Sequence, residues 1–281
     1  MSATTLSLAP DNSTDANFRL WGKAISDQLA AGGWVKTSDT GQIDWATVTK
    51  PTTANTSQGY EIWRSNDAGG GINQIYLKLE YGGGSPVTKP SIWHTVGFAS
   101  NGSGTLTGNT STRTQLTMPA TATTTTYTSY LSATAGRFCF LLFSDYTTGA
   151  MGLFLERTLD SSLNPKNAVL IMHYIGSLTY ISFRQVVNQT LGAYPSVTSP
   201  TTHLALIDAN SLQSGNAGLS LIFGSNGGLT NPSSNILGVY STNLGATGTQ
   251  ISIDTYGSAI NYIICTPNSL ASNINMLMRY D

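Results

Sequence analysis

The chain has 281 residues, which suits one large β-domain or two domains with a small N-terminal element. Hydrophobic residues make up 40% but charged residues only 10%, against roughly 25% in ordinary soluble domains, so Ser, Thr, Asn, Gln and Gly must cover most of the surface. The net charge of -1 and the scattered Lys and Arg residues, which form no basic tract, exclude nucleic acid as an expected partner.

No signal peptide is predicted, because the first residues lack both a positive region and an apolar core. No membrane span is expected either, since the longest apolar runs fall far short of about 20 residues. The two cysteines, Cys139 and Cys265, lie in apolar runs. We favour buried free thiols over a disulfide, as expected for a chain that folds in a reducing cytoplasm.

Residues 15–33 carry the helical pattern. Asp15 is the predicted N-cap, and Gly32 and Gly33 end the helix. The apolar repeat consists of Phe18, Trp21, Ile25 and Leu29. Residues 33–51 then have no clear period and are predicted to form an irregular, packed connection.

Four large aromatic residues of this N-terminal segment are predicted to form an interface. They are Phe18, Trp21, Trp34 and Trp45. A segment too small to own a core has no other way to cover such side chains. We expect them to dock the segment onto the β-domain or onto an adjacent subunit.

From residue 60 onward the apolar period changes from helical to two, which is typical of β-strands. Strands are predicted at 60–64, 75–81, 92–98, 137–146, 151–157, 168–174, 179–186, 203–207, 219–223, 236–240, 251–256, 261–265 and 276–280. The first two should form a hairpin, and the Gly/Ser/Thr-rich stretch 100–126 should hold strands or an ordered loop.

This pattern predicts a mostly β fold: an antiparallel β-sandwich or jelly-roll-like structure with one N-terminal helix. Three regions are expected. They are an N-terminal helix and docking segment at 1–58, a hairpin-rich region at 59–120 and the sandwich domain at 121–281.

Catalytic chemistry has few candidate residues in this sequence. His94, His173 and His203 each lie in or beside a predicted strand, without the spacing of a zinc site. Glu61 and Glu80 fall on the two arms of the hairpin and could approach each other as a glycosidase pair does. We favour solvent-facing positions for both, and we expect no catalytic, cofactor or metal site. The chain is therefore not expected to be an enzyme.

Seven short segments are spread along nearly the whole chain, outside 100–150. They are Phe18-Arg19-x-Trp21-Gly22, Gly33-Trp34-Val35, Thr40-Gly41-Gln42-Ile43-Asp44-Trp45, Gly59-Tyr60-Glu61-Ile62-Trp63-Arg64, Leu79-Glu80-Tyr81-Gly82, Glu156-Arg157-Thr158-Leu159-Asp160 and Met278-Arg279-Tyr280-Asp281. Together these segments resemble a pattern of virion structural proteins in tailed bacteriophages. The resemblance implies a structural role in the particle and carries over no catalytic residue.

The expected function is therefore a structural component of a tailed-phage virion, in the tail, collar or baseplate, that acts by subunit packing after assembly in the host cytoplasm. Its expected partners are other virion proteins and copies of itself, with a trimer or ring as the expected symmetry. Of six lysines only Lys166 lies after residue 89, which leaves later strand edges with little charge to protect them. The alternatives are an adhesin for a host receptor or surface glycan and, third, a polysaccharide-degrading enzyme.

Overall fold

The computed structural model describes residues 2–71, 74–118, 124–145, 149–159, 165–176, 178–185, 220–221, 239–242, 249–255, 258–264 and 275–280. The α-helix α1 spans Asp15–Ala31, and Ala68–Gly71 forms a short 3-10 helix. The strands of the first part are β1 Ser2–Leu8, β2 Val35–Lys36, β3 Thr56–Arg64, β4 Tyr76–Gly83, β5 Pro90–Gly97, β6 Ala99–Ser100, β7 Leu106–Thr107 and β8 Thr114–Thr117. The later strands are β9 Tyr127–Thr134, β10 Arg137–Asp145, β11 Gly149–Leu159, β12 Pro165–Gly176, β13 Leu178–Gln185, β14 Ser220–Leu221, β15 Val239–Thr242, β16 Gln250–Thr255, β17 Ser258–Ile264 and β18 Asn275–Arg279.

These strands form three larger antiparallel sheets and one small ribbon. The front sheet has the order β2-β3-β4-β5-β8, the central sheet β1-β9-β10-β11-β12-β13 and the C-terminal sheet β14-β15-β18-β17-β16, while β6 pairs with β7. The prediction of a mostly β, antiparallel fold with one N-terminal α-helix is confirmed. No helix in the described stretches is long and apolar enough to cross a membrane.

The start of helix α1 differs by one residue from the prediction. Thr14 is the N-cap: its backbone is extended, and its Oγ1 accepts a hydrogen bond of 3.1 Å from the Asn17 N–H. Asp15, predicted as the cap, is the first helical residue, and its carboxylate accepts from the Lys50 N–H at 2.9 Å. Threonine and aspartate both cap helices well, so the sequence alone does not separate neighbouring candidates.

The front and central sheets share one hydrophobic core, into which α1 also packs. Core members include Trp21, Ile25 and Leu29 of α1, Leu77, Leu79 and Ile92 of the front sheet, and Leu131, Phe140 and Leu153 of the central sheet. This arrangement is that of a sandwich whose two inner faces meet, with the helix inserted beside β1 and β9.

The middle strands of the central sheet are buried on both faces. Along β10, Phe138 and Phe140 face the shared core, whereas Cys139 and Leu141 point the other way and are also buried. On that second face, the ring of Tyr280 lies 5.4 Å from that of Tyr130 in an edge-on contact. A strand covered on both sides needs no polar alternation, which explains the unbroken apolar run at 138–143.

Most predicted strands of the described regions are present. The hairpin is β3–β4, with Glu61 opposite Leu79, and the described part of 100–126 contains β6, β7 and β8 joined by ordered loops. The predicted strand at 203–207 and Cys265 lie outside the described residues.

Strand β1 is an addition to the predicted elements. It pairs with β9 along its whole length, from Ser2 opposite Ala133 to Leu8 opposite Tyr127. This pairing joins the beginning of the chain to the central sheet. The expected division at residues 58 and 120 remains a prediction.

Candidate functional site

Glu61 is a heavily hydrogen-bonded side chain of the described interior. It lies on β3 with none of its surface exposed, and five side chains donate to its carboxylate. The donors are Ser26 Oγ at 2.9 Å, Lys36 Nζ at 2.7 Å, Trp45 Nε1 at 3.1 Å, Trp63 Nε1 at 3.3 Å and Tyr81 OH at 3.0 Å. We call these six residues the Glu61 cluster.

The Glu61 cluster ties together the elements that enclose the front half of the core. Its donors come from α1, β2, β3, β4 and the connection that follows β2. Burial raises the pKa of Tyr81 well above its ordinary value, and the neighbouring Glu61 charge raises it further. The phenol therefore stays protonated and keeps donating, as a buried carboxylate requires.

Glu61 and Glu80 do not form a pair of carboxylates. Glu61 is opposite Leu79, and Glu80 is opposite Tyr60, so the two side chains project from opposite faces of the sheet. The expected solvent-facing position is wrong for Glu61, because its surroundings supply enough donors to bury the charge. Glu80 does face outward, where Arg113 Nε lies 2.7 Å from its Oε2.

The four predicted interface aromatics lie inside the chain. Phe18, Trp21, Trp34 and Trp45 are between 0% and 9% exposed and belong to the shared core. The Trp45 ring packs edge-on against Tyr81 at 4.8 Å, and Trp34 Nε1 donates to the Thr134 carbonyl at 2.8 Å. Of the two docking partners expected for these aromatic side chains, the structure contains the chain's own β-sheets. The four side chains have little exposed surface left for contact with a second subunit.

A buried ion pair connects the front and central sheets. Arg157 on β11 is 2% exposed, and its Nε and Nη2 lie 2.5 Å and 3.0 Å from the two carboxylate oxygens of Asp67. Its Nη2 also lies 3.3 Å from Ser65 Oγ. In the sequence analysis Arg157 is the last residue of the predicted strand 151–157, with no partner predicted for its charge. The signal that could have indicated this ion pair is a charged residue next to the apolar run 153–155, because a charge buried in such a strand needs a partner of opposite charge.

The remaining candidates for chemistry are dispersed. His94 is 2% exposed on β5, the side chain of His173 lies outside the described residues, and so does His203. Cys139 is a buried thiol that forms no disulfide, and its pKa is raised by burial to about 12. Within the described residues, no three His, Cys, Asp or Glu side chains are grouped so that they could hold a metal ion.

The outward face of the front sheet carries aromatic rings covered by cations. Lys78 Nζ lies 4.7 Å from the centre of the Tyr60 ring, and the Arg113 guanidinium lies 4.8 Å from that of Trp93. Tyr60, Glu80 and Trp93 are register neighbours on β3, β4 and β5. This outer rung therefore combines rings, a carboxylate and cations on one face of the sheet, where Trp93 is only 3% exposed beneath Arg113.

The comparisons with known proteins add no family to this description. No protein-family model matches the chain, and no curated protein matches it.

Proposed function

We propose that this protein is a non-enzymatic structural component of a tailed-phage virion and acts by packing against its neighbours in the tail, collar or baseplate. The observation that carries the proposal is the Glu61 cluster. The Glu61 carboxylate, which has no exposed surface, is surrounded by donors from five parts of the chain, so its chemistry serves to hold the fold.

The charge distribution supports the same proposal. Arg157 and Asp67 neutralise each other between the two sheets, and charged residues are only 10% of the sequence. A surface poor in charge suits large permanent contacts, because few ions lose their hydration when subunits associate.

Quantitative mass spectrometry of gradient-purified particles tests this proposal. We expect the chain at a fixed copy number of several per particle, together with known virion proteins. Its absence from the particles, while it remains abundant in the lysate, would overturn the structural role. The same fractions should release no sugar from host polysaccharide or peptidoglycan.

A second candidate function is binding of a host-surface glycan, and the outer rung favours it. Aromatic rings, a carboxylate and a guanidinium are groups with which proteins hold sugars. In this structure, however, Lys78 and Arg113 occupy the ring faces on which a sugar would stack. A glycan array decides between the two. Binding that Arg113→Ala alters would select the adhesin, and an empty array would select packing.

A further inference from the structure

Strand β1 forms an open edge of the central sheet. Among the strands that the structure describes, its one neighbour is β9, and their register runs without a shift from Ser2 to Leu8. On its other side β1 has no ladder partner within the described sheet. Of its carbonyls, that of Ser2 accepts a hydrogen bond of 2.6 Å from Gln28 Nε2 of α1, so the proposed pairing concerns the residues that follow Ser2. The sequence of β1, SATTLSL, contains no charged residue and no proline, and so lacks two common protections of an edge strand.

An apolar groove lies between this edge and helix α1. Its volume is about 410 Å³. Leu6 and Thr4 of β1 line one side, and Leu20 and Ala24 of α1 line the other. Leu20 is 55% exposed, the highest value among the large hydrophobic side chains that the structure describes.

We propose that β1 pairs with the β1 strand of a second copy across a two-fold axis, with Leu20 of each copy covered by the strand of the other. The inference rests on the proposed function, because it identifies one surface through which the chain packs. An added antiparallel strand satisfies the open backbone groups and covers the groove at the same time.

A second copy fits this edge because β1 is complementary to itself. Antiparallel pairing about a central axis at Thr5 places Thr5 opposite its own equivalent. Thr4 then faces Leu6 of the other copy, and Ala3 faces Ser7. Each pair joins small or medium-sized side chains that pack against each other across strands. The Thr5 Oγ1 of each copy is hydrogen-bonded to Tyr280 OH of its own chain, so the central pair adds side-chain contact and no new hydrogen bond. A two-fold contact of this kind is isologous, so each copy contributes the same patch.

The charges at the rim of the groove are compatible with a two-fold contact between copies. Lys23 and Asp27, which line the groove, form an ion pair of 2.6 Å on the exposed side of α1. A copy related by a two-fold axis presents both signs in return, so no like charges need to meet. The resulting unit is a dimer, which differs from the trimer or ring expected from the sequence.

Sedimentation velocity on the purified full-length chain at micromolar concentration is the first test. The wild-type chain should sediment as a dimer or a multiple of it, and Leu20→Lys should raise the dissociation constant at least tenfold. Val35→Lys is the matched control, because Val35 is also an exposed hydrophobic residue, 38% exposed, but lies on β2 away from the groove. A monomeric wild-type chain, or equal dissociation constants for the two variants, would overturn the inference.

Cysteine cross-linking is the second test and reads the register directly. In a background carrying Cys265→Ser, the thiols of Thr5→Cys should face each other at about 4.5–5.5 Å between Cβ atoms and form an intermolecular disulfide on mild oxidation. Ala3→Cys, on the same exposed face of β1, should stay uncoupled because Ser7 lies opposite it. Equal cross-linking of both variants, or of neither, would contradict the proposed pairing.

The outcomes separate this inference from the function on which it rests. A chain that is present in particles but does not pair through β1 removes the inference and leaves the structural role. A chain that pairs through β1 but is absent from particles removes the structural role and leaves the dimer.

Discussion

Glu61 is a residue whose environment decides its role. A carboxylate without exposed surface is costly to bury unless nearby groups donate hydrogen bonds to it. Here three aromatic donors, a serine and a lysine do so. Because each donor belongs to a different stretch of the chain, the carboxylate fixes how those stretches pack.

Replacing Glu61 with alanine should destabilise the protein strongly. The change leaves the indoles of Trp45 and Trp63 and the hydroxyl of Tyr81 without their acceptor, and each orphaned buried donor costs roughly 1–3 kcal/mol. We expect a loss of more than about 3 kcal/mol in the free energy of unfolding, measured by urea denaturation. Glu80→Ala is the control and should cost within about 1 kcal/mol, because its partner Arg113 is half exposed. Equal losses for the two variants would contradict the role given to the Glu61 cluster.

The Cys139 thiol should make stability fall at high pH. Its pKa is raised by burial from 9.0 to about 12, so above pH 9 the unfolded chain releases this proton while the folded chain keeps it. The folded state then binds more protons, and the free energy of unfolding should fall by up to about 1.4 kcal/mol per pH unit. Denaturation between pH 8 and pH 10 measures the slope, which should be smaller in Cys139→Ala. An unchanged slope in that variant would show that the thiol is not the cause.

At the scale of elements, two side chains fasten the front sheet and helix region to the central sheet. Arg157 of β11 holds Asp67, and Trp34 donates from the end of α1 to the carbonyls of Thr134 and Arg137 at 2.8 Å and 3.2 Å. Both contacts bridge residues far apart in sequence. They therefore add directional polar contacts between the two parts to the close-packed apolar core.

Breaking the Arg157–Asp67 pair should cost far more than breaking a surface pair. Asp67→Asn removes the carboxylate charge that lies against the guanidinium of a 2% exposed arginine, and removing one partner of a buried pair costs about 3–5 kcal/mol. Asp27→Asn is the matched control, since its partner Lys23 lies in the same helix and both side chains are more than half exposed. That change should cost less than about 0.5 kcal/mol. Thermal unfolding of both variants measures the difference, and comparable melting temperatures would refute it.

The sequence predicts the elements that depend on residues close to one another in the chain. The 3–4 residue repeat of Phe18 to Leu29 predicts α1, and the alternation on either side of the turn near residue 70 predicts the β3–β4 hairpin. The pairing of β1 with β9 joins residues more than a hundred positions apart, and nothing in either strand specifies the other. Glu61 was misplaced for the same reason: alternation gives the face of a strand but not what covers that face.

At the scale of the whole molecule, the sequence predicts that certain side chains must be buried but does not predict which surface covers them. Phe18, Trp21, Trp34 and Trp45 were recognisable as residues that must be covered, and the structure covers them within the chain. Charged residues are only 10% of the sequence, so there are few charge patterns from which a contact surface could be predicted. The β1 edge becomes visible only once the sheet order is known.

A cryo-EM reconstruction of the intact particle, with this chain traced in its density, tests the central claim most directly. The account predicts several symmetry-related copies in the tail, collar or baseplate, with the Glu61 cluster enclosed in each copy and the weakly charged exterior in contact with neighbours. It would be contradicted by particles in which no density fits the chain, or by a copy attached through a flexible tether without ordered contacts.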